Sequence, residues 1–181
     1  DATRHLAKLG HERIGLIRGP ARHPFFEALT SGYRRALDEA GIPASDALVM
    51  EASLGPQGGY DAAGALLDLP ARPTAMFTND DMAIGALRAI RERGLRVPED
   101  IAVVGFDDIE YAPHTTPPLT TVAVPKEEMG RLAVRQAIAQ MEQGEQHVYS
   151  TTVVAHSLVI RSSCGTGARP APPHRNGRRK P

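Results

Sequence analysis

Several side chains able to bind a small polar molecule stand directly behind apolar runs in this sequence. Asn79, Asp80 and Asp81 follow residues 74–78 (TAMFT), and Asp107 and Asp108 follow residues 101–106 (IAVVGF). Arg18 sits near the end of a third run, residues 13–19 (RIGLIRG). If these runs are strands of one open parallel sheet, the polar groups converge at its carboxyl edge, where such sheets bind ligands. Asp accepts hydrogen bonds in two directions, and Asn both donates and accepts. That combination suits sugar hydroxyls or the edge of a base. Asp80, Asp81 and Asp108 also have a structural alternative as helix caps or turn formers, because a carboxylate there accepts from free backbone N–H groups. Asn79 and Asp107 lie closest to the strand ends and rank first as binding residues.

Catalytic signatures are missing. The sequence has no G-x-S-x-G elbow, no P-loop and no G-x-G-x-x-G behind a strand. Residues 55–60 (GPQGGY) are Gly-rich but lack that spacing, and they read as a turn. Two Asp pairs at neighbouring strand ends could hold Mg²⁺, yet no lysine follows a strand to stabilise a phosphoryl group. The seven histidines show no H-x-H or H-x-x-x-H spacing, so neither a metal nor another cofactor is expected. The pattern points to binding and not to turnover.

The elements that must position these groups follow from hydrophobic period. Ala2, Leu6 and Leu9 share a helical face that Gly10 ends. Phe26, Leu29, Tyr33, Ala36, Leu37 and Ala40 repeat at helical spacing until Gly41 and Pro43. Residues 47–52 read as a strand, and Tyr60, Ala63, Leu66 and Leu67 as a short helix. Ala83, Leu87 and Ile90 mark a helix that stops at Gly94, with Asp80 or Asp81 as its cap. Strands alternating with such helices make βαβ units and a parallel sheet covered on both faces. Residues 107–125 are Pro-rich and irregular, and read as a crossing between lobes. The spacing then predicts a helix over 126–143, closed by Gly144. Its apolar stripe (Met129, Leu132, Ala133, Ala137, Ile138, Met141) has no evident partner. Residues 148–155 and 158–160 read as strands.

Composition bounds the class. With 181 residues, 41% hydrophobic and 23% charged, the chain can build a core unaided by staples. The lone Cys164 excludes an intrachain disulfide and a cysteine-rich zinc site. No apolar run reaches the ~18 residues a membrane span needs. The net charge of zero hides a split: residues 165–181 carry five basic residues and no acids, leaving 16 basic against 21 acidic in the rest. Lacking large apolar residues, that basic tail is expected to be disordered. The acidic body argues against nucleic-acid binding by this piece alone. The chain opens on Asp1 and runs straight into helical pattern, so it reads as a piece of a longer protein.

Four segments carry a family resemblance: LGHERIGLIRGP (9–20), FTNDDMAIGALRAIRERGLRVPEDIAVVGFDD (77–108), PPLTTVAVP (117–125) and SLVIRSS (157–163). In this order and spacing they resemble the effector-binding core of the lactose-repressor/galactose-repressor family, from Ala2 to about Cys164. The resemblance implies an α/β, doubly wound, periplasmic-binding-protein-like fold of type I. It divides the chain into a C-terminal lobe (1–120), a segment returning to an incomplete N-terminal lobe and back (121–164), and the tail (165–181). It implies a cytoplasmic transcriptional regulator, most simply a repressor, that binds a sugar or related metabolite, forms a homodimer or higher oligomer, and reaches operator DNA through a headpiece absent here. A periplasmic sugar-binding protein of the same fold is the alternative.

Carried over position by position, Asp107 and Asn79 match effector-contacting polar residues of the family. Leu29 departs from it: three residues before the Gly32–Tyr33 pair the family often has an arginine that would grip hydroxyls or a carboxylate. Leu54 likewise replaces an aromatic platform. His23, Phe25 and Glu27, near the same edge, are candidates to substitute. The helix after Asn79 resembles the family's dimer-interface helix, with Ile84 and Arg88 facing the partner, although Ile84 could equally be core. The helix over 126–143 would belong to the returning segment, and is therefore expected to be unusually exposed.

Overall fold

The structure is a computed structural model that describes residues 1–144 and 148–165. Six strands form one sheet in the order β2-β1-β3-β4-β5-β6. They are β1 (Ile14–Arg18), β2 (Val49–Glu51), β3 (Ala75–Phe77), β4 (Ala102–Asp107), β5 (Thr120–Ala123) and β6 (Ser157–Val159). The first five run parallel, and β6 pairs antiparallel with β5. Five helices accompany them: α1 (Ala2–Lys8), α2 (Pro24–Glu39), α3 (Pro56–Leu67), α4 (Asp80–Glu92) and α5 (Lys126–Gln143).

Both sheet faces are covered, which is why the strands could dispense with alternation. On one face Leu66, Met82, Ala86 and Ile90 of α3 and α4 pack with Ile17, Met76 and Val103. On the other, Leu6 of α1 and Tyr33 and Leu37 of α2 pack with Ile14, Leu16, Phe77 and Val104. The Tyr33 hydroxyl donates to the Ile14 carbonyl at 2.7 Å, which ties α2 to β1. Helices α3 and α4 touch at backbone distance. A Cβ on Gly59 would lie 2.0 Å from the Met82 carbonyl oxygen, and one on Gly85 1.8 Å from that of Pro56. Only glycine permits that approach.

Four expectations need correction. Residues 107–125 are not irregular throughout, because β5 lies within them and extends the parallel sheet beside β4. Residues 148–155 form no strand; only Ser157–Val159 joins the sheet. The strand expected over 47–52 shortens to Val49–Glu51, behind a 3-10 turn at Asp46–Leu48. The cap of α4 is neither Asp80 nor Asp81 but Asn79, whose side chain accepts from the Met82 N–H at 3.0 Å. Helix α5 has the expected bounds and no buried residue, with Met129, Val134, Ile138 and Met141 about half exposed or more. The tail expected to be disordered lies outside the described residues beyond Gly165.

Candidate functional site

The carboxyl ends of β1, β3 and β4 meet at one sheet edge, because β3 lies between the other two in register. Asp107 ends β4 and Asn79 follows β3. Asp107 and Asp108 are the non-glycine residues with positive φ among those described, at 111° and 48°. L-residues visit that region at a cost, so the surrounding structure must hold the turn there.

Four side chains from four places in the chain supply that hold. Asp80, fully buried at the first turn of α4, accepts from the Ile109 N–H at 2.9 Å and the Thr121 hydroxyl at 2.6 Å. Thr121 lies on β5, and its Oγ1 is 3.4 Å from the Asp108 N–H. Arg161, just past β6, donates to the Asp108 carboxylate and to the Leu119 carbonyl, each at 2.8 Å. The Lys126 ammonium, at the start of α5, donates to the Asp107 carbonyl and, at 3.3 Å, to that of Asp108. The turn is thus bound to α4, β5, and both segments that leave and re-enter the sheet around α5.

Electrostatics follow from this crowding. Burial pushes the Asp80 carboxyl up, with Asp107 and Asp108 adding to the rise and its two hydrogen bonds opposing it. Burial also raises Asp107, against the pull of Lys126. Asp107 is therefore a half-buried acceptor whose charge a hydrogen-bond donor would stabilise. At the same edge Arg18 Nε and Thr78 Oγ1 are buried without a hydrogen-bond partner among the described residues. Arg18 otherwise pairs with Glu51 at 3.1 Å. Unpaired buried polar atoms are uncommon, and a ligand could satisfy them.

Beside this edge, a cavity of about 240 Å³ opens between α1, α2 and the sheet. Phe25, Leu29, Tyr33, Phe77, Phe106 and Val122 form its apolar wall. Phe25 meets Phe26 edge-on at 5.0 Å and Phe106 at 5.4 Å between ring centres. Leu29 lines the cavity at the position where the family resemblance implies an arginine, so the wall there is apolar. Of the three candidate substitutes, only Phe25 reaches the cavity. His23 caps α2, its Nδ1 accepting from the Phe25 N–H at 3.3 Å. Glu27 is exposed on the first turn of α2, where its charge suits the helix dipole. Leu54 is 61% exposed and reaches toward Gly19.

Farther along α4, Ile84 is half-buried in a shallow groove with Pro56, Tyr60, Arg88 and Thr115. The Arg88 guanidinium stacks 4.9 Å from the Tyr60 ring centre and pairs with Glu92 at 2.8 Å. Ile84 therefore sits at a surface and outside the main core. Among the described residues no His, Cys, Asp and Glu cluster of metal-binding size occurs, and no helix is long and apolar enough to cross a membrane.

Lys126, Thr121, Thr78 and Arg161 escaped the sequence reading. Recognising β5 would have placed Thr121 opposite Gly105 in the ladder, and Lys126 immediately beyond it. Nothing local singled out Arg161.

Comparison with known proteins places the fold. Residues 3–164 match the periplasmic binding protein-like domain. The chain is 41% identical to the HTH-type transcriptional repressor CytR of Escherichia coli over 165 residues, covering 90% of the chain and 48% of that protein. It thus spans about half the length of the curated relatives it matches. A solved complex of the transcriptional regulator CelR with cellobiose superposes with a TM-score of 0.84 at 38% identity, over 89% of this chain and 49% of that one. A dimeric Lac repressor superposes at 0.82 with 35% identity, over 90% of this chain and 59% of that one.

Proposed function

Because this chain belongs to the periplasmic-binding-protein-like effector domains of the LacI family of transcriptional regulators, we propose that it is the effector-sensing and dimerising part of a cytoplasmic repressor. The sheet is the C-terminal lobe. Helix α5 and the extended run after it belong to the segment that visits the N-terminal lobe, which accounts for a helix with no buried residue. The effector is a small hydroxylated ligand such as a sugar, held at the carboxyl edge of the sheet. Asp107 accepts its hydroxyls, and the free amide hydrogens of Asn79 donate to it. Phe25 walls the site, with His23 and Glu27 at its rim.

One observation carries this reading. Asp107 is forced into a positive-φ turn that Asp80, Arg161 and Lys126 hold in place. A turn held this firmly at a sheet edge is preorganised for binding. Two copies meet through α4, with Ile84 and Arg88 facing their counterparts across a two-fold axis. Effector binding then biases the relative orientation of the lobes, and with it the spacing of DNA-reading headpieces that lie outside this chain.

Saturation-transfer NMR against pentoses, hexoses and their simple glycosides tests the assignment. Ligands that bind the wild-type chain should lose binding at least about tenfold on Asp107→Ala. Undiminished binding by the variant contradicts it.

A further inference from the structure

The cavity beside Asp107 is built for something other than a bare sugar. Much of its polar wall is engaged with itself, with Arg35 at the mouth 3.8 Å from Glu39. The Asp1 carboxylate receives Arg4 at 2.9 Å and is 2.8 Å from His156 Nε2. Arg4 holds Glu39 at 2.6 and 3.0 Å, and Tyr33 is spent on the Ile14 carbonyl. The opposite wall is Phe25, Leu29, Phe77, Phe106 and Val122, with no side-chain hydrogen-bonding group. A hydroxyl placed there would be stripped of water and left unpaired, which is costly. A flat apolar ring would lose nothing and would bury its faces.

The aromatic groups are arranged to receive such a ring. Phe26 is buried and fixed, whereas Phe25, seated edge-on against it, is 39% exposed and offers a free face. Phe106 meets Phe25 from the sheet side at a tilt of 58°. Offset and edge-to-face packing are the geometries aromatic rings prefer. The volume, about 240 Å³, exceeds the ~150 Å³ apolar cavity known to admit a benzene ring. Phe106, which lines the cavity, is followed directly by Asp107 at the carboxyl end of β4.

We propose that the effector is a glycoside whose aglycone is an aromatic ring. The ring lies between Phe25, Leu29 and Phe106, and the sugar hydroxyls meet Asp107. This rests on the effector-binding reading above and adds the chemical class of ligand.

Matched phenyl and methyl β-glycosides of glucose, galactose, xylose and ribose, titrated into the 181-residue chain and followed by ligand-observed NMR, separate the two claims. At least one phenyl glycoside should bind about tenfold or more tighter than its methyl counterpart, in line with the apolar area it buries. Its ring protons should saturate most. Phe25→Ala and Leu29→Arg should abolish that preference, while Met141→Ala, on the exposed face of α5, should leave it intact. Equal affinities for the phenyl and methyl pairs overturn the aromatic aglycone and leave the Asp107 site standing. A phenyl preference that survives Asp107→Ala without loss of affinity overturns the hydroxyl site and keeps the ring. No binding by any of the eight glycosides overturns both.

Discussion

The Asp80 carboxylate takes the Thr121 hydroxyl at 2.6 Å. Because it also takes the Ile109 N–H at 2.9 Å, the first turn of α4 is fastened to β5 and to the turn that carries Asp107. Asp80 is therefore a positioning residue. Its cost is a buried charge, and its return is a binding turn that cannot relax.

Two substitutions at this position should diverge. Asp80→Ala strands the Ile109 N–H and the Thr121 hydroxyl, and should cost about 2–4 kcal/mol in denaturant unfolding. Asp80→Asn keeps an acceptor for Ile109 and should cost far less. An Ala variant as stable as wild type would remove Asp80 from the account.

The same residue sets a pH dependence. Its folded-state pKa is raised above the ordinary 3.8, mainly by burial. A raised acid contributes most stability below its unfolded value and loses that contribution as pH rises through the folded one. The stability of Asp80→Asn relative to wild type should therefore improve from pH 3 toward pH 7. A flat difference across that range would contradict the assignment.

Gly105 of β4 lies directly against the Asp80 carboxylate of α4. A Cβ there would lie 1.9 Å from Asp80 Oδ1. Gly105→Ala should displace the carboxylate and destabilise by about 1–3 kcal/mol, as overpacking does. It should also shift the Ile109 amide resonance, because that amide loses its acceptor.

The proposed dimer face is tested by Ile84→Asp. A charge in the centre of a self-complementary patch is repeated twice across the axis. Sedimentation velocity should show the wild-type chain as a dimer and the variant as a monomer. Unchanged sedimentation would place the interface elsewhere.

Helix α5 should exchange its amide protons fastest of the five helices, since none of its residues is buried and short isolated helices are marginal. Slow exchange there in the monomeric variant would mean a partner surface within the chain itself.

Much of this was legible in the sequence, for identifiable reasons. Helix α5 has a Pro before it and a Gly after it, and its bounds came out as read. Strands β1, β3 and β4 are short apolar runs that neighbouring helices cover, so composition alone marked them. Strand β5 was hidden because the Pro117–Pro118 pair precedes it and two of its four residues are threonines. Their hydroxyls are spent on Asp80 and Cys164, partners that no local pattern shows. Residues 148–155 carry β-formers yet join no strand; they hydrogen-bond instead to α5 through Thr152 and Tyr149. The expected cap of α4, Asp80 or Asp81, lies one or two residues past the true one, because Asn79, Asp80 and Asp81 are all able caps. Tertiary packing chose, drawing Asp80 into the interior and leaving Asn79 to turn on Met82.

The central claim is that ligand meets this chain at the carboxyl edge of the sheet, on the turn at Asp107. Amide chemical-shift mapping of the ¹⁵N-labelled chain, with the tightest-binding glycoside, tests it most directly. The account predicts the largest shifts at Asn79, Phe106, Asp107 and Ile109, with Phe25 close behind and His11 and Gly41 at the opposite edge unmoved. Shifts centred on His11 and Gly41, or spread along α5 with none at Asp107, would contradict it.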